Sequence, residues 1–228
     1  MFRLHQTSLQ PFVERLASRS ILTEEEAVAL LALKGQMTQV PAHSDFVRQG
    51  EYVDHACLVV DGLVGRFGQN KDGGRQITCI HIPGDMADLP SVVSPKSAWG
   101  LSALCTTTIL RIPHVELRHI AAEHVGLAEA FWRDCVADGS IFSEWVVNVG
   151  RRDALTRVAH VLCEISVRRV RAKQGEKTLF AFELTQSDLA DATGLTGVHV
   201  NRTLKELRTR SLATVRSNVV TIYAGKLS

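Results

Sequence analysis

Arg202 carries a planar fork of donors that matches the two acceptors on the major-groove edge of guanine. The amide of Asn201 beside it offers the donor and acceptor that adenine presents in reverse. Val198 suits contact with a thymine methyl, while Lys205 and the Thr196 hydroxyl suit phosphate oxygens. These residues, with His199, lie in a stretch whose apolar positions Val200, Leu204 and Leu207 recur at spacings of 4 and 3. That spacing predicts a helix capped by Thr196, apolar on one face and polar on the other. Just upstream, Thr185 with Asp188 forms an N-cap pair, Leu189, Ala190 and Leu195 are apolar, and Gly194 can take the left-handed conformation that ends a helix. Two short helices around a glycine-bearing turn form a helix-turn-helix, and the second is the one that enters a DNA major groove. Thr185 and Gln186, at the start of the first helix, complete the candidate DNA-contacting set of Thr185, Gln186, Thr196, Val198, His199, Asn201, Arg202 and Lys205. The competing reading is two ordinary packed helices.

Such a reading head needs a scaffold. Leu212 to Ile222 reads as a small hairpin around Ser217-Asn218, a wing beside the helices. A further helix runs from Arg151 through Ala154, Val158, Val161, Leu162 and Ile165, and Arg171 to Lys177 reads as a polar loop. Residues 151–228 carry 14 Lys and Arg against 7 Asp and Glu, whereas residues 1–150 carry 12 against 17. A basic C-terminal domain on an acidic body suggests a polyanionic partner; charge alone fits a solvated face equally well, and with the helix-turn-helix beside it the partner expected is double-stranded DNA.

Paired half-sites on DNA require two copies of the reading head. Leu117, Ile120, Leu127, Phe131, Cys135, Phe142, Trp145 and Val149 fall at spacings of 3, 4 and 7. This narrow stripe predicts a continuous long helix whose seam, Leu127, Phe131, Cys135, Phe142 and Trp145, forms a homodimer interface. Two shorter core helices, broken near Gly126 or Gly139, are the alternative. From about Val40 to Ile112, short runs of Val, Ile, Leu and Thr alternate with Gly50, Asp61-Gly62, Asp72-Gly73-Gly74 and Pro83-Gly84-Asp85, the texture of an antiparallel sandwich or barrel. The best hairpin joins Val59-Val60 to Leu63-Val64 through Asp61-Gly62. Thr23 followed by Glu26 is a capping box that opens a helix. The domains expected are 1–113, 114–150 and 151–228.

Other chemistries find little support. The longest wholly apolar run, Ala27 to Leu33, is seven residues, far short of the roughly 20 a membrane span needs. With no basic and apolar leader in the first thirty residues, a cytoplasmic location is expected. Five cysteines, 57, 79, 105, 135 and 163, show no CxxC spacing and read as small buried hydrophobes, a redox-sensing thiol being the alternative. His114, His119 and His124 are spaced by five, which scatters them around a helix, and no other tight ligand pair, GxSxG or GxxxxGK[ST] occurs. Neither a metal site nor an enzyme is expected.

Taken in order, Gly50-Glu51, Val59-Val60-Asp61-Gly62 with Val64, Pro83-Gly84-Asp85, the Arg152-Asp153-Ala154 helix and Leu184 to Leu207 resemble the Crp/Fnr superfamily of bacterial transcription regulators over nearly the whole chain. The resemblance implies an α+β fold: an N-terminal cyclic-nucleotide-binding-type antiparallel β-roll, a long dimerisation helix and a C-terminal winged helix-turn-helix. It further implies a palindromic operator, a homodimer, RNA polymerase as a partner and a small signal sensed by the β-roll. Where the cyclic-AMP branch has Gly-Glu and Arg-Ser, this chain has Ala87-Asp88 and Lys96-Ser97, which makes Asp88, Lys96 and Ser97 the candidate effector residues and a cyclic nucleotide the candidate effector. Lys lacks the bidentate fork of Arg, and Asp is one methylene shorter than Glu. The oxygen-sensing branch holds an iron–sulfur cluster with N-terminal cysteines. Residues 1–56 contain none, so no such cluster is expected. Many members carry Arg at the place of Gly197 and Glu at that of Val198, so the operator is expected to differ at the bases those two positions read. A ligand-binding module acting through protein partners is the reading from a different class.

Overall fold

The computed structural model describes residues 2–172, 174 and 178–223. They form two compact units: Met1–Arg66 with His81–Ile141, and Phe67–Ile80 with Phe142–Ser228. A hairpin from the β region, Phe67–Ile80, belongs with the C-terminal residues. Among the described residues, no helix is long and apolar enough to cross a membrane.

The first unit opens with α1 (Phe2–Ala17) and α2 (Glu24–Leu31). The sequence reading missed α1, since Pro11 in its interior removes a hydrogen-bond donor and argues against a helix. Leu9, Phe12 and Leu16 hold it in place through burial. The capping box of α2 is as expected: Thr23 Oγ1 accepts from Glu26 N–H, and Glu26 Oε2 accepts from Thr23 N–H.

Seven strands follow: β1 (Gln36–Val40), β2 (Ser44–Val47), β3 (His55–Asp61), β4 (Val64–Gln69), β5 (Arg75–His81), β6 (Gly100–Ala103) and β7 (Thr107–Pro113). They form two sheets, ordered β1-β7-β3 and β2-β6-β4-β5. Val40, Val47, Cys57, Val59, Val64, Leu101 and Ile109 share one core. The Asp61-Gly62 turn is real but does not close a hairpin. β3 pairs with β7 while β4 lies in the other sheet, so the turn carries the chain between sheets. Gly62 has φ +85, and a Cβ there would lie 2.6 Å from Thr107 Oγ1. The Thr107 hydroxyl accepts from Leu63 N–H and fixes the crossing.

The expected continuous helix is broken. α3 (His114–Glu123) and α4 (Val125–Arg151) are separated by extended backbone at His124, φ −124 and ψ 99. A Cβ on Gly126 would collide with the Glu26 carboxylate of α2, so this glycine permits the close approach of α4 to α2. The expected stripe exists, but most of it faces its own chain. Leu117, Ile120, Leu127 and Phe131 are buried with α1, Cys135 packs against the same core, and the Phe131 ring lies 6.3 Å from Phe12. In the second unit Trp145 is buried and donates through Nε1 to Glu164. Of the five expected seam residues only Phe142 is exposed. The narrow stripe marked intrachain packing, because burying a helix against a sheet or against another chain needs the same periodicity.

The second unit holds the β4–β5 hairpin tip, α5 (Ala154–Arg171), β8 (Leu179–Ala181), α6 (Gln186–Thr193), α7 (Gly197–Thr209), β9 (Ala213–Arg216) and β10 (Val219–Ile222). Asp153 caps α5 by accepting from Thr156 N–H at 2.8 Å, which holds its exposed carboxyl below the usual range. The expected wing is present. Ser217 and Asn218 both take positive φ, 48 and 59, as a two-residue hairpin turn requires. β8 adds a third strand in the order β8-β10-β9. The expected 171–177 loop lies largely outside the described residues, beginning where α5 ends.

Candidate nucleic-acid interface

The helix-turn-helix is assembled by local rules. Thr185 Oγ1 accepts from Asp188 N–H at 3.1 Å, and Asp188 Oδ2 accepts from Thr185 N–H at 2.7 Å, closing the box that starts α6. Gly194 ends α6 in the left-handed region at φ +64. An added Cβ there would sit 3.2 Å from Val149 Cγ1, a tight contact, and the left-handed conformation itself favours glycine. Thr196 caps α7 by accepting from His199 N–H at 3.3 Å. Its hydroxyl therefore serves the helix and also lies 3.2 Å from His199 Nδ1.

Val200, Thr203 and Leu207 bury one face of α7. Val198, His199, Asn201, Arg202 and Lys205 occupy the exposed side, and Val198 is 81% exposed. A large aliphatic side chain held so fully in water has no packing role within its own chain. Thr185 and Gln186 are exposed at the start of α6. Asn201 Nδ2 donates to Gln186 Oε1 at 3.3 Å, which ties the two helices together across this face. All eight expected residues are thus solvent-accessible, with Val198, His199, Asn201, Arg202 and Lys205 on α7 and Thr185 and Gln186 at the start of α6.

Sequence reasoning missed how the turn is anchored. Arg157 Nη1 donates to Thr193 O at 3.2 Å, and Gln76 Nε2 donates to Ala192 O at 3.3 Å. Together they satisfy carbonyls at the C-terminus of α6 that the helix itself leaves unpaired. Arg168 Nη1 donates to Ile80 O at 2.6 Å on the same hairpin. Burial raises the carboxyl pKa of Asp191 on α6, with Asp188 adding to the effect and Arg75 opposing it. No local signal ties residues 75–80 to residues some ninety or more positions later.

Two of the three effector candidates, Asp88 and Ser97, are engaged internally. Asp88 is 1% exposed and accepts from Cys57 N–H at 2.6 Å. Burial raises its carboxyl above the usual range, against the opposing bond from Cys57. Ser97 Oγ donates to Trp99 O at 2.6 Å, and Lys96 is exposed with its ammonium 6.0 Å from the Tyr52 ring. An open groove lined by Asp45, Phe46, Arg48, Gln49, Gly50 and Glu51 includes none of the three. Asp88 acts here as a backbone anchor for β3.

A charged network unforeseen from the sequence lies in the same unit. Arg15 of α1 reaches Asp85, Asp134 and Asp138 with its three guanidinium nitrogens. Arg19 also meets Asp134, and Arg66 contacts Asp138, the Ala87 carbonyl and the Trp99 ring. Burial opposes the charge on Arg15, but Asp85, Asp134 and Asp138 outweigh it and its pKa rises. Burial raises Asp134, with Arg15 opposing. Cys57, Cys79 and Cys105 are buried, and Cys135 and Cys163 half-buried. Burial raises the Cys135 thiol to about 11 and the Cys57 thiol well above its usual value, so neither is an activated thiolate.

Comparison with known proteins finds two domains in the chain. Residues 37–124 match the cyclic nucleotide-binding domain, and residues 156–224 match the Crp-like helix-turn-helix domain. The nitrogen fixation regulation protein FixK of Azorhizobium caulinodans is 24% identical over 203 residues, 88% of this chain and 81% of that protein. The regulatory protein HlyX of Actinobacillus pleuropneumoniae is 21% identical over 92% of this chain and 87% of its own. Among solved structures, FixK2 from Bradyrhizobium japonicum superposes with a TM-score of 0.75 at 24% identity, covering 83% of this chain and 93% of that one. With both domains in this order and a winged helix-turn-helix whose reading face is open, the chain belongs to the Crp/Fnr family of transcriptional regulators.

Proposed function

We propose that this regulator binds a two-fold symmetric operator as a homodimer, with α7 of each protomer in a major groove. The observation that carries the reading is the polarity of α7, whose apolar face is buried while Val198, His199, Asn201, Arg202 and Lys205 stand in solvent. Arg202 reads guanine, Val198 a thymine methyl, and Lys205 and Thr196 hold phosphates, with Thr185 capping α6 beside them. Gly197 and Val198 give this chain an operator unlike the half-site read through Arg and Glu at those positions. The dimer forms along the outer face of α4, where Val125, Trp132, Val136 and Gly139 recur at heptad spacing and are all exposed. RNA polymerase is the partner through which bound operator is converted to regulation, the cytoplasm is the location, and a signal acting on the β-roll sets the DNA-binding state.

Selection from a random duplex library with the full-length protein tests this. A two-fold symmetric consensus is expected, and Arg202→Ala should lose about 1–3 kcal/mol on it. Binding that Arg202→Ala leaves unchanged contradicts the proposed readout.

A further inference from the structure

Asn201 and Gln186 lie fifteen residues apart, on different helices, yet are joined side chain to side chain at 3.3 Å on the exposed face. Gln186 is the first residue of α6 and Asn201 lies one turn into α7. When a helix-turn-helix docks, its first helix crosses the phosphate backbone and its second faces base edges. That places the two amides in different chemical surroundings. We propose that Gln186 is a positioning residue for specificity: it transmits the polarity of a DNA phosphate to Asn201 and thereby commits Asn201 to adenine. The inference rests on the DNA-binding reading above.

An amide has a donor end and an acceptor end, and rotation by half a turn exchanges them. Phosphate oxygens only accept. Gln186 at the backbone therefore turns Nε2 to the phosphate and Oε1 to Asn201. Asn201 must then spend one Nδ2 hydrogen on Gln186, which is the bond present here. Its second Nδ2 hydrogen and its Oδ1 remain for the groove, one donor beside one acceptor. Adenine presents N7 as acceptor and N6 as donor and is satisfied by this pair. Guanine presents two acceptors, N7 and O6, and leaves Oδ1 facing an acceptor. Without Gln186 the Asn201 amide can rotate, and the discrimination between purines falls.

The test compares full-length wild type, Asn201→Ala, Gln186→Ala, Gln186→Glu and the Gln186→Ala/Asn201→Ala double variant on the selected operator, with each base substituted at every position. The position whose preference disappears in Asn201→Ala should carry adenine in the wild type. Gln186→Ala should reduce adenine over guanine there by about fivefold or more and leave the other positions unchanged. Gln186→Glu still accepts from Asn201 but cannot donate to phosphate, so adenine preference should persist while all sequences bind more weakly. In the double variant the Gln186 change should have no further effect at that position. A base other than adenine there, or a Gln186→Ala variant that weakens all sequences equally, overturns the proposal while leaving operator binding intact. A wild type that selects no sequence at all overturns the DNA-binding reading itself.

Discussion

Arg15 donates from Nη2 to Asp138 Oδ1 at 2.7 Å, joining α1 to α4 across 123 residues of sequence. The same guanidinium serves Asp85 and Asp134, so three largely buried carboxylates depend on one cation, helped by Arg19 and Arg66. Removing one partner of a buried ionic group costs more than the intact group contributes, because the remaining charges are left desolvated. Arg15→Ala should therefore destabilise the protein by about 3–5 kcal/mol at neutral pH. The Asp134 carboxyl already lies above its ordinary value of 3.8 through burial, and losing Arg15 raises it further. Protonation relieves the repulsion, so the deficit should shrink as pH falls toward that range. Urea unfolding at neutral and mildly acidic pH measures this, and an equal deficit at both would contradict it.

The outer face of α4 makes a separate prediction. Trp132 and Val136 are 71% and 69% exposed on a helix whose opposite side is packed. Val136→Asp should leave the fold of each protomer unchanged, since the side chain touches water in the monomer. Across a two-fold seam it sets two carboxylates together, which costs several kcal/mol. Sedimentation should report a shift from dimer to monomer, with operator affinity falling in parallel. A variant that remains dimeric places the interface elsewhere.

Asp88 offers a test of the β-roll that is independent of DNA. Its folded-state pKa is raised by burial, so the native state holds the proton more tightly than the unfolded chain. Its contribution to stability is therefore most favourable below the unfolded value of 3.8 and is lost as pH rises through the raised folded value. Asp88→Asn keeps an acceptor for Cys57 N–H and removes the buried charge. The melting temperature of the variant relative to wild type should rise between about pH 4 and pH 7. A constant difference over that interval would show that the charge is already compensated.

The same anchoring predicts the response to cyclic nucleotides. With Asp88 committed to Cys57 and Ser97 to Trp99, millimolar cyclic AMP should leave the melting temperature unchanged. A ligand present at a hundred times its dissociation constant would add about 2.7 kcal/mol. An increase of that size would mean that these side chains release their internal partners to bind it.

Local signals were sufficient for much of this molecule. The Thr23–Glu26 and Thr185–Asp188 boxes, Gly194, the Thr196 cap and the Ser217-Asn218 turn each act within a few residues, so the sequence alone determined where those helices begin, where α6 ends and where the wing turns. It also determined which side of α7 is polar, because that follows from a period of 3.6. Tertiary structure alone decided what each apolar stripe packs against: Leu127 and Phe131 could have met a second copy as well as their own α1, and only the folded chain chose. Likewise Asp61-Gly62 fixes a turn but not whether its strands share a sheet. The Arg15 network, the Gln76–Ala192 contact and the burial of Asp88 are long-range pairings of polar groups. Their partners are separated by tens to more than a hundred residues, and no periodicity records which donor will meet which acceptor once water is excluded.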